Sequence, residues 1–397
     1  MKKNISLLLA LLIGSFVFSQ NVNLNIGSTK QKKYYEKLAI EFIKNKIIIP
    51  VEIQGKVYRF ILDTGAPNII SKEIQGVLNP KLLESIPITD INEKKERLNV
   101  VLVKSLKLGS VIFENTASLV YDFNASPIFK CFNIDGFIGS NMLRNSIIQI
   151  DKKKRVLVLT DGEKKLTLNK KKSSKIKFVD DQSSPYLWVD LKGADSGKEL
   201  LLIDLGADDI YGVSRKNYSI LEKKQIFNVL GESVGASSLG LFGDVSKNSQ
   251  YKLLLPTLKI NNTELKNIIT ETTNDNNSKI GSKLLDFGVM TINYKNKRFY
   301  FKPYSNNINT LHSDYGFSRT LKNNKVIVGF VWDEKLKSKM AYGDEIIEIN
   351  GVKINQSKIC DLITGNLELE NKKTITLKIK SIDGTITELK AEKTTLN

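Results

Sequence analysis

Two short stretches of the chain combine a carboxylate with residues that could hold it in place. Residues 60–71 read F-I-L-D-T-G-A-P-N-I-I-S, and residues 201–214 read L-L-I-D-L-G-A-D-D-I-Y-G-V-S. In each, an apolar run typical of a buried strand ends at an aspartate, Asp63 or Asp204, and a glycine follows two residues later. A carboxylate at that position is costly unless backbone N–H groups bond it, which a glycine allows at close range. Taken alone, a D-T-G stretch more often marks a solvated aspartate that opens a turn.

The tracts that follow the two aspartates also match each other. Residues 106–115, 138–140 and 147–159 pair in order with residues 258–267, 280–282 and 289–301. The two aspartates are 141 residues apart, and the glycines of the second pair of tracts are 142 residues apart. The chain therefore holds two copies of one unit of about 140 residues. If each copy presents one carboxylate, the two can face each other at about 3 Å and share one proton.

With these motifs, residues 45–303 resemble the aspartic proteases, specifically the bacterial retropepsin-like members with a duplicated lobe in one chain. The resemblance implies a mainly β, bilobal aspartic-protease-like β-barrel fold made of two similar lobes. It also implies that Asp63 and Asp204 form the catalytic dyad. The residues that it implies as supports of the active-site loops are Thr64, Gly65, Ala66, Gly206, Ala207, Gly139 and Gly281.

Two positions depart from the pattern of that family. Leu205 stands where the family has Thr or Ser, whose hydroxyl belongs to a hydrogen-bonded brace between the two loops. Thr64 is therefore expected to bond backbone groups alone. Lys279 replaces one of the two apolar residues that precede Gly281, whereas residues 137–139 keep the apolar-apolar-Gly pattern.

Composition and targeting signals set the outer bounds. The chain has 397 residues, of which 41% are hydrophobic and 26% charged, an ordinary balance for globular domains. Residues 1–19 place two lysines before an apolar stretch and predict a signal peptide. We expect an exported, soluble protein, periplasmic or secreted, with no integral membrane segment after signal removal. The net charge of +18 comes from lysines spread along the chain, which favours a compositional bias over a nucleic-acid site.

The cysteines and the single histidine restrict the chemistry further. Cys131 and Cys360 fall in different predicted domains, so no disulfide is expected between them. His312 would have to serve any Ser-His-Asp, Cys-His or zinc site by itself, and it lies at a predicted domain junction. We therefore expect carboxylate chemistry that uses no metal and no cofactor.

Short strands and hairpins dominate the predicted secondary structure. The hairpins that lead into the two aspartates are predicted at residues 47–51 with 57–62 and 186–191 with 200–203. Residues 30–44 place Tyr35, Leu38, Ala39 and Phe42 at helical spacing, with Ile40 off that face, and predict a short amphipathic helix that caps the first lobe. Residues 231–243 hold four glycines and predict either a mobile hairpin over the cleft, similar to the flap of the family, or an inert surface loop.

The C-terminal tract has a different character. Residues 343–351 read G-D-E-I-I-E-I-N-G, which predicts a turn, an alternating strand and an Asn-Gly hairpin. Together with the Y-G-F-S string before it, this tract resembles a PDZ domain. The resemblance implies a loop that binds the carboxylate of a peptide C-terminus, beside a helix at residues 357–363. The residues of that loop are Tyr315, Gly316, Phe317 and Ser318.

These signals predict a domain organisation and leave two functions open. The domains are a signal peptide at 1–19, a first lobe at 20–160, a second lobe at 175–303 and a small PDZ-like domain at 312–395. The favoured function is a secreted aspartic endopeptidase that cuts peptide or protein substrates through the dyad and an activated water. The alternative is a non-catalytic peptide-binding protein on a degenerate protease scaffold, which Leu205 and the PDZ-like tract favour.

Overall fold

The computed structural model describes residues 23–89, 94–236, 247–365 and 372–395. The described chain is mainly β, which confirms the predicted fold class at that level. The signal peptide predicted for residues 1–19 lies outside the described residues. Within these ranges, every helix is too short or too polar to span a membrane.

The first half of the molecule contains strands β1 to β12. The strands are β1 (Ser28–Thr29), β2 (Tyr35–Ala39), β3 (Glu41–Ile43), β4 (Lys46–Ile53), β5 (Lys56–Leu62), β6 (Ile69–Ser71), β7 (Lys81–Thr89), β8 (Lys95–Leu108), β9 (Val111–Tyr121), β10 (Gly136–Ile138), β11 (Ile147–Asp151) and β12 (Val156–Thr160). The helices are α1 (Lys72–Leu78), α2 (Pro127–Phe132) and α3 (Ser140–Leu143), with 3-10 turns at Phe123–Ala125, Glu163–Lys165 and Lys170–Lys172. One sheet has the order β1-β9-β6-β10-β5-β4-β8-β7, with β3 paired to β4.

The second half contains strands β13 to β23. The strands are β13 (Ser173–Val179), β14 (Ser184–Lys192), β15 (Ser196–Ile203), β16 (Tyr211–Ser214), β17 (Asn228–Gly235), β18 (Asn248–Ile260), β19 (Thr263–Thr273), β20 (Lys279–Ile280), β21 (Gly288–Asn293), β22 (Arg298–Pro303) and β23 (Ile308–Asn309). The helical segments are α4 (Arg215–Leu221) and 3-10 turns at Glu222–Lys224 and Ser282–Asp286. Here the sheet order is β17-β18-β19-β16-β20-β15-β14-β13-β22-β21-β11-β12-β2, with β23 paired to β19.

The strand pairing of the first half recurs in the second. Strand β5 pairs in parallel with β10, and β15 pairs in parallel with β20, in each case just before the aspartate. Strands β6 and β16 pair with the same short strands from the other side. Each ends in a serine, Ser71 or Ser214, whose hydroxyl accepts a bond from the first turn of α1 or α4. The sequence repeat is therefore a repeat of backbone architecture.

The two halves meet through one pair of equivalent strands. Strand β11 runs antiparallel to β21, with Ile148 opposite Ile292, so both halves contribute to the second sheet. The largest core cluster follows the same path and includes buried side chains from both halves, such as Leu62 and Ile203. Burying each large aliphatic side chain contributes about 1.5–3 kcal/mol, so the halves are expected to unfold together.

The amphipathic helix predicted for residues 30–44 is wrong. Those residues form β2, which pairs with β12, and β3, which pairs with β4. Tyr35, on the predicted apolar face, is 40% exposed, whereas Ile40, which falls off that face, is buried. Pairing with β12 and β4 decides the local structure here, and it overrides the helical preference that the spacing of apolar residues in a short segment indicates.

Each half also carries a long hairpin after its aspartate loop. The first is β7 with β8, and the second is β17 with β18. Residues 90–93 and 237–246, which follow β7 and β17 in the chain, lie outside the described residues, as does much of the predicted flap at 231–243. The described part of the second hairpin contacts the C-terminal unit, since Ser233 Oγ accepts a bond from the Val331 N–H at 3.0 Å.

The C-terminal unit forms a sheet of its own. Its strands are β24 (Phe317–Lys322), β25 (Lys325–Val331), β26 (Glu345–Ile349), β27 (Val352–Lys353), β28 (Thr374–Lys380) and β29 (Ile386–Glu392), and its helices are α5 (Glu334–Lys337) and α6 (Gln356–Thr364). The sheet order is β24-β25-β26-β28-β29, with β27 paired to β26. Asn350 and Gly351 have φ of 49° and 80°, as a tight hairpin turn of the predicted kind requires.

The expectation of no disulfide is also wrong. Cys131 on α2 and Cys360 on α6 are bonded, with their Cα atoms 4.9 Å apart. Helix α2 of the first half packs against α6, so residues from separate predicted domains become neighbours. The second half adds an ion pair between buried Lys252 and Asp314. The C-terminal unit is thus attached covalently to the first half, and to the second half through this ion pair and the Ser233 hydrogen bond.

Candidate active site

The two aspartates occupy equivalent backbone positions. The Asp63 N–H donates to Ile138 O at 3.0 Å, and the Asp204 N–H donates to Ile280 O at 2.9 Å. These bonds continue the parallel pairing of β5 with β10 and of β15 with β20. Each carboxylate therefore lies at the end of a buried strand that is held by a partner strand about 75 residues further along the chain. In the sequence, only the repeat indicates which distant segment is that partner.

Gly139 and Gly281 allow the later strands to pass closely behind the loops. A Cβ added at Gly139 would lie 2.1 Å from Pro67 C, and one added at Gly281 would lie 2.3 Å from Asp209 O. Real side chains essentially never approach that closely, so any larger residue would push the loop away. The predicted support role of both glycines thus has a steric basis in each half.

The residues after these glycines bond the loops directly. The Ser140 N–H donates to Ala66 O at 3.2 Å, and the Ser282 N–H donates to Ala207 O at 2.9 Å. Their hydroxyls differ, because Ser140 Oγ donates to Thr64 O at 2.8 Å whereas Ser282 Oγ donates again to Ala207 O at 2.9 Å. Both alanines of the predicted motifs are held through their carbonyls.

The two loops face each other across the site. A Cβ added at Gly65 would lie 2.6 Å from Asp204 Cγ, and one added at Gly206 would lie 2.5 Å from Asp63 Cγ. Each glycine N–H also donates to the carboxylate of its own loop at 2.9 Å. The structure therefore brings the predicted dyad and its glycines together, and only glycine leaves room for the opposite carboxylate.

The brace between the loops is one-sided. Thr64 Oγ1 donates to Ile203 O at 2.6 Å and accepts from the Leu205 N–H at 3.0 Å, so it bonds backbone groups alone, as expected. Both Thr64 and Leu205 are fully buried. Leu205 fills its place with apolar packing and offers no hydroxyl in return.

Lys279 joins the site, which its sequence position did not predict. Its Nζ lies 2.8 Å from Asp204 Oδ2 and 2.6 Å from Asp275 Oδ2. Lys46 of the first half approaches the same loop, with Nζ 2.5 Å from Gly206 O and 2.6 Å from Asp208 Oδ1. The signal available in the sequence was the replacement of an apolar residue at 279, but spacing alone did not indicate which carboxylate it would meet.

These contacts separate the two carboxylates in acidity. Burial, and after it the negative charge of Asp204, raise the pKa of Asp63 to about 7. Burial alone would also raise the pKa of Asp204, but the Lys279 ammonium, together with Lys46 and the Gly206 N–H, outweighs burial and holds that pKa below its ordinary value. The pair can therefore hold one proton on Asp63 over a wide range of pH while Asp204 stays ionised.

The predicted carboxylate-binding loop lies apart from the dyad, at the start of β24 in the third sheet. Gly316 has φ of 71°, and its N–H donates to Asp314 Oδ1 at 2.7 Å. Ser318 Oγ accepts from the Phe330 N–H at 2.7 Å, and Tyr315 OH donates to Lys372 O at 2.7 Å. Phe317 is half-buried against the core of this unit.

His312 is exposed, and its Nδ1 lies 3.2 Å from Thr310 O. Among the described residues, no three His, Cys, Asp or Glu side chains cluster so that they could hold a metal ion.

A comparison with protein families agrees with the chemistry of the first loop. Residues 49–142 match the family model described as Aspartyl protease. That segment includes Asp63, Gly65 and Gly139, so the match supports a protease-type function for the part of the chain that holds the first loop.

Among solved structures, the chain is similar to a retropepsin-like aspartic protease from Rickettsia conorii, described as a crystal structure. The two share 18% identity, with 34% of this chain and 94% of that chain covered and a TM-score of 0.23. None of the curated proteins compared with the chain matches it.

Proposed function

We propose that this protein is an exported aspartic endopeptidase whose dyad is Asp63 and Asp204. The observation that carries the proposal is the crossed approach of the loops, in which Gly65 faces Asp204 and Gly206 faces Asp63. Two carboxyl groups that face each other and differ in pKa can act as general base and general acid in hydrolysis by water.

The proposed architecture is bilobal, with lobes at 20–160 and 175–303 and a PDZ-like domain at 312–395. The recurrence of the parallel strand pairs before each aspartate supports two lobes, and the separate C-terminal sheet supports a third domain. The disulfide between Cys131 and Cys360 supports export, because disulfides persist in oxidising compartments such as the periplasm or the exterior.

The acidity difference assigns the roles in the proposed reaction. Ionised Asp204 takes a proton from water, and the oxygen of that water forms a bond to the scissile carbonyl carbon. Protonated Asp63 donates a hydrogen bond to the carbonyl oxygen and stabilises the tetrahedral intermediate. When the C–N bond breaks, the dyad gives a proton to the leaving amine and returns to its singly protonated state.

The proposed role of the C-terminal unit is to bind a peptide C-terminus or the substrate. Strand β24 lies at the edge of its sheet in the order above, where an extended peptide can add as a further strand. At the loop, the Asp314 carboxylate already accepts the Gly316 N–H. A peptide carboxylate would have to replace it there, so we expect weak binding that strengthens in Asp314→Asn.

The test is cleavage of an unfolded protein substrate by the mature full chain and by Asp63→Asn and Asp204→Asn. Each amide prevents proton sharing, so each variant is expected to lose activity by roughly 10²–10⁴-fold. Asp63→Asn should keep the wild-type melting temperature in weak acid, because an amide resembles the protonated acid. Full activity in either folded variant overturns the proposal.

A second function is favoured by two observations at the same site. Leu205 leaves the brace one-sided, and Lys279 occupies one oxygen of Asp204. A peptide-binding protein on a degenerate protease scaffold would bind an unfolded protein substrate without cutting it. In that case wild type and Asp63→Asn would bind equally well, and neither would release fragments.

A further inference from the structure

Lys279 and Phe137 occupy the same position in the two copies of the repeat. In the first half, Phe137 on β10 lies opposite Ile61, two residues before Asp63. In the second half, Lys279 on β20 lies opposite Leu202, two residues before Asp204. The backbone is therefore matched residue for residue, and the difference at this position is one of side-chain chemistry.

The two side chains have opposite surroundings. Phe137 packs in an aromatic cluster, with its ring 5.4 Å from the rings of Phe123 and Phe129. Lys279 is 19% exposed and lies between two carboxylates, that of Asp204 at 2.8 Å and that of Asp275 at 2.6 Å. With little water present, this contact strongly favours the ionised form of Asp204.

The other charges around the site are cations, which favour ionised Asp204, and carboxylates, which oppose it. Lys46 also lies on the Asp204 side, through its bonds to Gly206 O and Asp208. Among the described residues, the titratable groups around Lys279 and the dyad are Lys46, Asp63, Asp204, Asp208, Asp209, Asp275, Lys283, Tyr186 and Tyr294. Lys46 and Lys279 both contact the Asp204 loop, so the positive charge at the site is concentrated on that side.

We infer that Lys279 is a positioning residue that keeps Asp204 ionised and thereby leaves the single proton of the dyad on Asp63. This inference rests on the proposed peptidase function for its kinetic consequence, although the effect on the carboxyl groups does not. Lys279 assigns Asp204 as the base toward water and Asp63 as the acid toward the carbonyl. It also extends the working range of the site into stronger acid, because the Lys279 cation lowers the pH at which Asp204 takes up a proton.

The experiment compares the full chain with Lys279→Met and Lys279→Arg. Carboxyl ¹³C resonances of the aspartates are followed against pH and assigned with Asp63→Asn and Asp204→Asn, and kcat/KM is measured over the same range. In Lys279→Met the titration midpoint of Asp204 should rise by at least about one unit, the acid limb of kcat/KM should rise with it, and kcat should fall more than KM changes. Lys279→Arg keeps the positive charge, so the Asp204 midpoint and the acid limb of kcat/KM should shift much less than in Lys279→Met.

Removing the lysine alone leaves two carboxylates without their cation, which can unfold a protein. Lys279→Met with Asp275→Asn removes one charge of each sign and serves if the single variant does not fold. An unchanged Asp204 midpoint in the folded variant overturns the inference, whatever the activity. A shifted midpoint in a wild-type protein that cuts at no pH supports the role of Lys279 and overturns the peptidase proposal instead.

Discussion

The Asp63 loop and the Asp204 loop have the same backbone geometry but differ in the polar side chains that hold them. Both depend on glycines at equivalent positions and on equivalent pairs of parallel strands. The first loop supplies the hydroxyl of the brace, from Thr64, and the second supplies the charge, from Lys279. The comparison indicates that close backbone approach limits which residues fit, whereas the side chains around it can differ between copies.

The halves also differ in how they hold the C-terminal unit, and this difference gives a large predicted stability effect. Replacing both cysteines, Cys131→Ser with Cys360→Ser, should lower the free energy of unfolding by about 2–4 kcal/mol, because the bridge closes a long loop. Chemical denaturation under oxidising conditions measures the change.

The matched variant on the other half is Lys252→Met with Asp314→Asn, which removes the ion pair as a whole. Replacing both partners of a buried pair is often close to neutral, so a much smaller change is expected. A larger loss here than in the cysteine variant would reverse this part of the comparison.

Removing the hydroxyl of the first loop should also be severe. Thr64→Val keeps the shape but leaves Ile203 O and the Leu205 N–H without their partner in a fully buried place. Each unsatisfied group costs about 1–3 kcal/mol, so the melting temperature should drop clearly. Thr64→Ser keeps the hydroxyl and is the control. Equal stability of the valine and serine variants would show that the brace contributes little.

The fold was predictable where the residue pattern and the backbone requirement coincide. The strand before each aspartate and the Asn-Gly turn follow the predicted pattern for that reason, and the glycines lie where the backbone and the opposite carboxylate leave no room for a side chain. The segment at 30–44 was wrong because the partners of β2 and β3 lie far away in sequence. The disulfide and the contact between Lys279 and Asp204 depend on packing between distant segments, which composition and spacing do not encode.

The two aspartates should influence stability in opposite directions with pH. The pKa of Asp63 is raised to about 7 in the folded state, whereas its value in the unfolded chain is about 4. Between these two pH values the folded protein binds one more proton than the unfolded chain, so this group makes the protein less stable as pH rises. Asp204, whose pKa is lowered, contributes stability above the ordinary value that is lost as pH falls through its folded pKa.

Melting temperatures against pH for wild type, Asp63→Asn and Asp204→Asn measure this difference. Asp63→Asn should gain on wild type toward neutral and higher pH, and Asp204→Asn should lose most at neutral pH and approach wild type in strong acid. Parallel curves for all three proteins would mean that the two carboxyl groups do not differ.

The smallest effect is expected from making the second loop resemble the first. Leu205→Thr could add a hydrogen bond worth about 0.5–1.5 kcal/mol, but it removes apolar packing of similar or larger worth at a fully buried position. We expect a small or negative change in melting temperature and at most a modest gain in turnover. A variant that turns an inert wild-type protein into an active peptidase would favour the binding function for the natural chain.

The most direct test of the central claim is the pH dependence of kcat/KM for cleavage of an unfolded protein substrate, with Asp63→Asn measured beside wild type. The claim is that two loops present a dyad with its proton on Asp63. Wild type should cut in weak acid and lose activity as pH rises through about 7, while Asp63→Asn stays inert. Equal cleavage by Asp63→Asn, or no cleavage by wild type anywhere between about pH 3 and about pH 9, would contradict it.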